Sequence, residues 1–223
     1  MSPPTEGPSA RGIKERVKTA RRRSASSTRW LERQLNDPLV HEARRLGYRA
    51  RSVFKLEQID RKYQLLRRGD KVVDLGAAPG SWSQYAAAKG CIVVATDIVE
   101  MAPLAGVRII TGDFLDEAIQ AQIAAAIDGQ ADTVLSDIAA SSTGQRAVDR
   151  LRAESIGEAV LEFAAEILRP GGSCVLKLLK GAEARLTPIV REHFTGWRLT
   201  KPEATRAESS EIYFIATGRK ALP

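Results

Sequence analysis

Residues Lys71–Gly80 read KVVDLGAAPG, an apolar run that enters a turn of small residues, and a helix is expected from Ser81. A buried strand, a glycine-rich turn and a helix in direct succession open an α/β sheet, where ligands bind beyond the carboxyl ends of the strands. Small residues at Gly76 and Gly80 let a ligand approach the backbone, and the free amides of the helix start favour polar or anionic groups. The turn is not G-x-G-x-x-G. Ala78 stands at the second glycine and Pro79 follows it, which disfavours a pyrophosphate-linked dinucleotide.

Working outward, strands are expected at 71–75, 91–96, 107–111, 131–136, 173–178, 197–201 and 211–217. Helices are expected at 81–89, 114–127, 146–168 and 183–193. Alternating β and α with Val/Ile/Leu-rich strands means a mostly parallel sheet of seven strands, covered on both faces. Residues 202–210 leave no room for a crossover helix, so the last strand should run antiparallel to the one before it. Ahead of the sheet, Asp37-Pro38 starts a helix that Gly47 ends, and Arg51–Tyr63 carries apolar residues at helical spacing.

Charged residues recur at the strand ends. Asp97 closes the second strand about 20 residues past the glycine turn, where a carboxylate accepts hydrogen bonds from ribose hydroxyls. Asp113, in TGDF after the third strand, is placed to face a base. Each aspartate alone reads equally well as a turn or helix cap; the ordered series favours a nucleoside such as that of S-adenosylmethionine. Further on, ADTVLSD ends on Asp137, GGSCVLK on Lys177, and SSEIYFIATG carries Glu211 near its start. A lysine at a buried strand end is costly unless a carboxylate meets it. Lys55 sits inside an apolar helix, where a snorkelling surface lysine is the bland alternative.

The net charge of +7 is unevenly distributed. Residues 1–68 hold 18 Lys and Arg against 7 Asp and Glu, whereas residues 69–223 hold 16 against 20. A basic arm on a mildly acidic domain calls for a polyanionic partner, and the arm lacks the large apolar residues of a membrane-surface helix. Three segments are therefore expected: a disordered basic tail at 1–28, a basic helical extension at 29–68 and the sheet domain at 69–223. The polar, basic N-terminus has no apolar signal core, and no apolar run approaches a bilayer span, so the expected location is the cytoplasm. Cys91 and Cys174 are expected as buried, reduced thiols. His41 and His193 have no ligand spacing, so no metal is expected.

With RSASSTRW, SVFKL, VVDLGAAPGSWSQY, ATDI, GDF, LSD, GGSCVLK and SSEIYFIATGRK, residues 22–220 resemble the FtsJ/RrmJ family. These are Rossmann-like, class I S-adenosylmethionine-dependent 2′-O-methyltransferases of ribosomal RNA. The resemblance implies a cytoplasmic, monomeric enzyme that methylates a uridine ribose in the A loop of 23S rRNA within the large ribosomal subunit. It places Gly80 and Trp82 in the cofactor turn, beside Gly76, and gives Asp97 and Asp113 the ribose and adenine. Asp137 falls near the methyl donor. Lys55, Asp137, Lys177 and Glu211 match the catalytic set, with Lys177 in the proton-acceptor position. Ser81 replaces a common glycine, and Ile138-Ala139-Ala140-Ser141 replaces a Met-Ala-Pro-Asn run.

Lys177 can accept a proton only as the neutral amine, and its expected neighbours pull both ways: Lys55 and a sulfonium favour that form, Asp137 and Glu211 the charged one. The other role open to it is orienting the hydroxyl. Amino-group methylation is disfavoured because SDIAAS is unlike an Asn/Asp-Pro-Pro-aromatic segment, and cytosine C5 chemistry because Cys174 lies within a strand. The alternative from another class is a non-catalytic RNA-binding assembly factor on the same fold. Pure binding has no need of a buried lysine at Lys177.

Overall fold

The computed structural model describes residues 25–139 and 143–221. Three helices, α1 (Ala25–Leu35), α2 (Pro38–Arg45) and α3 (Val53–Tyr63), precede β1 (Lys71–Leu75) and α4 (Ser81–Ala88). Then follow β2 (Ile92–Asp97), β3 (Val107–Thr111), α5 (Glu117–Ile127), β4 (Ala131–Ser136) and α6 (Arg146–Ile167). The chain finishes with β5 (Leu168–Leu179), α7 (Glu183–His193), β6 (Phe194–Thr200) and β7 (Glu211–Arg219).

The seven strands form one sheet in the order β3-β2-β1-β4-β5-β7-β6. Every pairing is parallel except those of β7, which runs antiparallel to both β5 and β6. The antiparallel last strand read from the short 202–210 loop is present, and it inserts between its two neighbours. That insertion brings the start of β7, and with it Glu211, to the carboxyl ends of the parallel strands, opposite Leu179.

Each face of the sheet is covered. On one, Val73, Leu75, Val134 and Leu176 pack with Ile123, Val160 and Leu161 of α5 and α6. On the other, Val72, Leu135, Val175, Tyr213 and Ile215 pack with Leu56 and Ile59 of α3 and Trp82 of α4. Alternation along each strand divides the side chains between the two layers. Helix α3, read from sequence as part of an extension, thus contributes to the core of the sheet domain.

The elements differ in detail from the sequence reading. Helix α5 starts at Glu117 rather than 114, because the Asp116 carboxylate accepts from Ala118 N at 2.9 Å and caps it there. Strand β6 starts at Phe194, directly after α7, rather than at 197. Residues 1–24 of the expected disordered tail, and Ala140 and Ser141 of the departing run, lie outside the described residues. The rest of that tail, Ala25–Thr28, is the first turn of α1: Ala and Ser are tolerated at a helix start, and a short helix gains from another turn.

Candidate active site

The register lines up three polar side chains. Ser136 pairs with Leu176, and Lys177 pairs with Tyr213. Asp137, one residue beyond Ser136, therefore stands beside Lys177, and Tyr213 completes a row across β4, β5 and β7. Lys177 Nζ donates to the main-chain oxygen of Asp137 at 2.6 Å and lies 3.2 Å from its Oδ1. Tyr213 Oη donates to the same Oδ1 at 2.7 Å.

Lys55 closes the row from above. It projects from α3 with its side chain 10% exposed, so it is no surface snorkeller. Its Nζ donates to Glu211 Oε2 at 2.8 Å and lies 5.6 Å from the centre of the Tyr213 ring. Glu211 and Tyr213 are two residues apart on β7 and so share a face. The structure brings Lys55, Asp137, Lys177 and Glu211 together.

Tyr213 was missed by the sequence reading. The available signal was its i+2 spacing from Glu211, on the strand face that carries the site. Burial, and then Asp137, push its hydroxyl well above the ordinary phenol value, so it keeps its proton and donates. Burial pushes the Glu211 carboxyl up, but Lys55, Lys177 and Ser209 outweigh it and hold the group below the usual carboxylate value. Glu211 is therefore ionised beside the two lysines.

A cavity of about 450 Å³ opens at the ends of β1, β2 and β4. Gly76, Asp97, Asp113, Asp137 and Ile138 line it, and its volume suits a small-molecule ligand. Gly76 lies at φ +68°, and a Cβ there would come within 2.2 Å of Ile138 Cγ1. The site thus needs glycine for both its backbone angle and its closeness. Asp97 combines its two readings: Oδ2 accepts from Ala78 N at 2.9 Å and Oδ1 from Val99 N at 2.8 Å, while the residue also faces the cavity. Asp113 likewise holds a turn, accepting from Leu115 N at 3.0 Å, and lines the cavity.

Gly80 and Trp82 stand behind this wall, not in it. Gly80, at φ +105°, lets Leu104 and Arg49 close over the turn. Arg49 donates to the carbonyls of Pro79, Ala102 and Pro103, tying the α2–α3 segment to the Gly76–Gly80 turn. Trp82 is buried, donates from Nε1 to Ser52 O at 2.8 Å and packs on Tyr213 at 5.8 Å between ring centres. The tryptophan therefore links the turn to the lysine row.

Asp74 is a second group the sequence reading missed, although a charged residue in an apolar strand was itself a signal. It is buried under the turn, where Ser83 Oγ donates to Oδ2 at 2.6 Å. Burial, with Asp137 and Asp97 nearby, raises its carboxyl to about 7 despite the Ser83 bond. Asp97, Asp113 and Asp137 line the cavity and suit it to a cationic ligand with hydroxyl groups.

Two further hollows meet at the row. One, of about 880 Å³, is lined by Lys177, Glu211, Arg146, Arg150 and Lys180, and it shares Ile138 and Ile156 with the first cavity. The other, of about 340 Å³, is lined by Arg33, Arg51, Arg206, Lys55 and Glu211. Asp37 lies 3.2 Å from both Arg51 Nε and Arg206 Nη2, which fastens the 202–210 loop to the helical extension.

Both cysteines are free and buried, as expected. Burial drives the Cys174 thiol far up, which removes it as a nucleophile. Among the described residues no group of acidic, His and Cys side chains is arranged to hold a metal, and no helix is long and apolar enough to cross a membrane.

The chain is 47% identical over 225 residues to "Ribosomal RNA large subunit methyltransferase E" of Parvibaculum lavamentivorans, covering 95% of this chain and 89% of that protein. It is 45% identical to the protein of the same name from Xanthobacter autotrophicus, covering 98% and 89%. A crystal structure of a ribosomal RNA methyltransferase from Plasmodium falciparum superposes with a TM-score of 0.67 at 24% identity, covering 78% of this chain and all of that one, which supports the fold. A family model described as FtsJ-like methyltransferase matches residues 48–219, and this chain belongs to that family.

Proposed function

We propose that the protein transfers a methyl group from S-adenosylmethionine to a ribose 2′-oxygen of a uridine in the A loop of 23S rRNA, acting on the large ribosomal subunit. The observation that carries this reading is the row Asp137–Lys177–Tyr213 with Lys55 and Glu211, set where the 450 Å³ cavity meets the 880 Å³ hollow. Homologues named as large-subunit rRNA methyltransferases support the substrate class, and the cation-rich N-terminal third supports an RNA partner. The proposed enzyme is a cytoplasmic monomer in which a basic N-terminal segment and the helices from Ala25 precede the sheet, with α3 packed into the core of the catalytic domain.

S-adenosylmethionine supplies an electrophilic methyl group, so no metal is needed. Asp97 would hold the ribose hydroxyls, Asp113 the base and Asp137 the donor end, with Gly76 giving the approach and Gly80 and Trp82 shaping the turn. Lys177, gripped by Asp137, would stand at the acceptor oxygen and, in its neutral amine form, take the hydroxyl proton as the oxygen–methyl bond forms and the sulfur–methyl bond breaks. Lys55 and Glu211, paired 2.8 Å apart, would fix the acceptor from the other side. Positioning supplies much of such a rate, and a proton acceptor adds ~10²–10⁴-fold.

The test is incubation of purified protein with undermethylated large subunits and labelled donor, followed by nucleoside mass spectrometry. The expected product is 2′-O-methyluridine at one position. Binding of the subunits without methyl incorporation would favour the assembly-factor alternative.

A further inference from the structure

We infer that the outer edge of β6 is a second RNA-binding surface, which grips the sugar–phosphate backbone of the large subunit away from the reacting nucleotide. This rests on the proposed rRNA substrate and adds a contact that the active site does not contain. Strand β6 is the last in the sheet and, among the described residues, pairs with β7 alone, which leaves its outer edge unpaired. A shallow groove of about 570 Å³ runs along it.

The groove is cationic. Arg191, Arg198 and Lys220 line it and no carboxylate does. All three are exposed; Lys220 Nζ donates to the main-chain oxygen of Arg191 at 2.7 Å and Arg198 Nη1 to that of Trp197 at 2.8 Å. Residues 69–223 carry more acidic than basic residues, so three cations with no ion pair among the described residues run against the charge of their own domain. Trp197, half-buried and stacked on Phe214 at 5.4 Å, gives the floor a rigid aromatic surface. Unpaired cations around an aromatic floor match a phosphate backbone with an accessible base or sugar.

Position also fits. Lys177 pairs with Tyr213 and Tyr213 with Thr200, so the carboxyl end of β6 lies two strands from Lys177, about 10 Å at the usual spacing, with Arg198 two residues back. Arg191 and Lys220 flank the far end of the strand, roughly 20 Å further along. From its end at Thr200 the chain continues through Lys201 into the loop bearing Arg206, on the rim of the active-site hollows. RNA seated at Lys177 could therefore continue onto this flank.

The competing explanation is edge protection, since charges on an open strand edge prevent pairing between copies. Charge of either sign serves that purpose, whereas only positive charge binds phosphate. The triple variant Arg191→Glu/Arg198→Glu/Lys220→Glu separates the two, with the single Arg198→Glu as the milder change. Methyl transfer to undermethylated large subunits is measured across a salt series, with donor affinity as the check on folding. The inference expects KM for large subunits to rise about 10-fold in the triple variant, with kcat within about twofold and a salt dependence shallower by about two counterions. Arg198→Glu should move KM in the same direction. Unchanged KM and salt slope in folded variants would overturn it. Wild-type protein that methylates no rRNA would instead overturn the proposed function.

Discussion

Asp137 grips Lys177 twice, through its main-chain oxygen at 2.6 Å and its Oδ1 at 3.2 Å. Strand register produces this grip: Ser136 pairs with Leu176, so the residue just beyond β4 meets the next residue of β5. The same Oδ1 also accepts from Tyr213, so one carboxylate oxygen serves the amine and a phenol.

Tyr213→Phe keeps the ring under Lys55 and against Trp82 but removes the hydroxyl that orients Asp137. The expected result is a fall in kcat of about 10-fold, the size of one lost hydrogen bond to a charged group, with little change in KM for RNA. Steady-state kinetics checks it. A loss confined to thermal stability would mean that the phenol is structural.

Gly76→Ala puts a methyl group 2.2 Å from Ile138 Cγ1 at a residue with φ +68°. Ile138 lines the cavity, so relief of the clash reshapes its wall. Calorimetric titration with S-adenosylmethionine should show affinity weakened by about 10-fold or more, with the fold retained by circular dichroism.

Asp74 ties stability to pH. Its carboxyl stands at about 7 when folded against an ordinary 3.8, so between these values the folded chain binds the extra proton. Stability from this group is greatest below 3.8 and is lost as pH rises through 7, a change on the order of 4 kcal/mol. Asp74→Asn keeps an acceptor for Ser83 and should flatten that part of the profile. Urea denaturation at pH 5 and pH 8 reads the difference.

The strand–turn–helix at Lys71–Ser81 and the alternation after it were enough to read the sheet, because hydrophobic periodicity is a local signal. The short 202–210 loop disclosed the antiparallel strand. The row at Asp137 was harder, since it depends on register between strands far apart in sequence. Lys55, Asp137, Lys177 and Glu211 could be named from motifs, but Tyr213 read as an ordinary strand residue until its neighbours across the sheet were in place, and the charge of Asp74 in an apolar strand showed burial without showing its partner Ser83. The first turn of α1 was hidden by a Ser-rich stretch with no hydrophobic period.

The most direct measurement is single-turnover methyl transfer by Lys177→Ala on undermethylated large subunits, with donor and RNA binding measured alongside. The account predicts unchanged donor affinity and a rate lowered by at least about 10²-fold, the usual share of a proton acceptor. A folded Lys177→Ala protein that transfers methyl groups at close to the wild-type rate would contradict it.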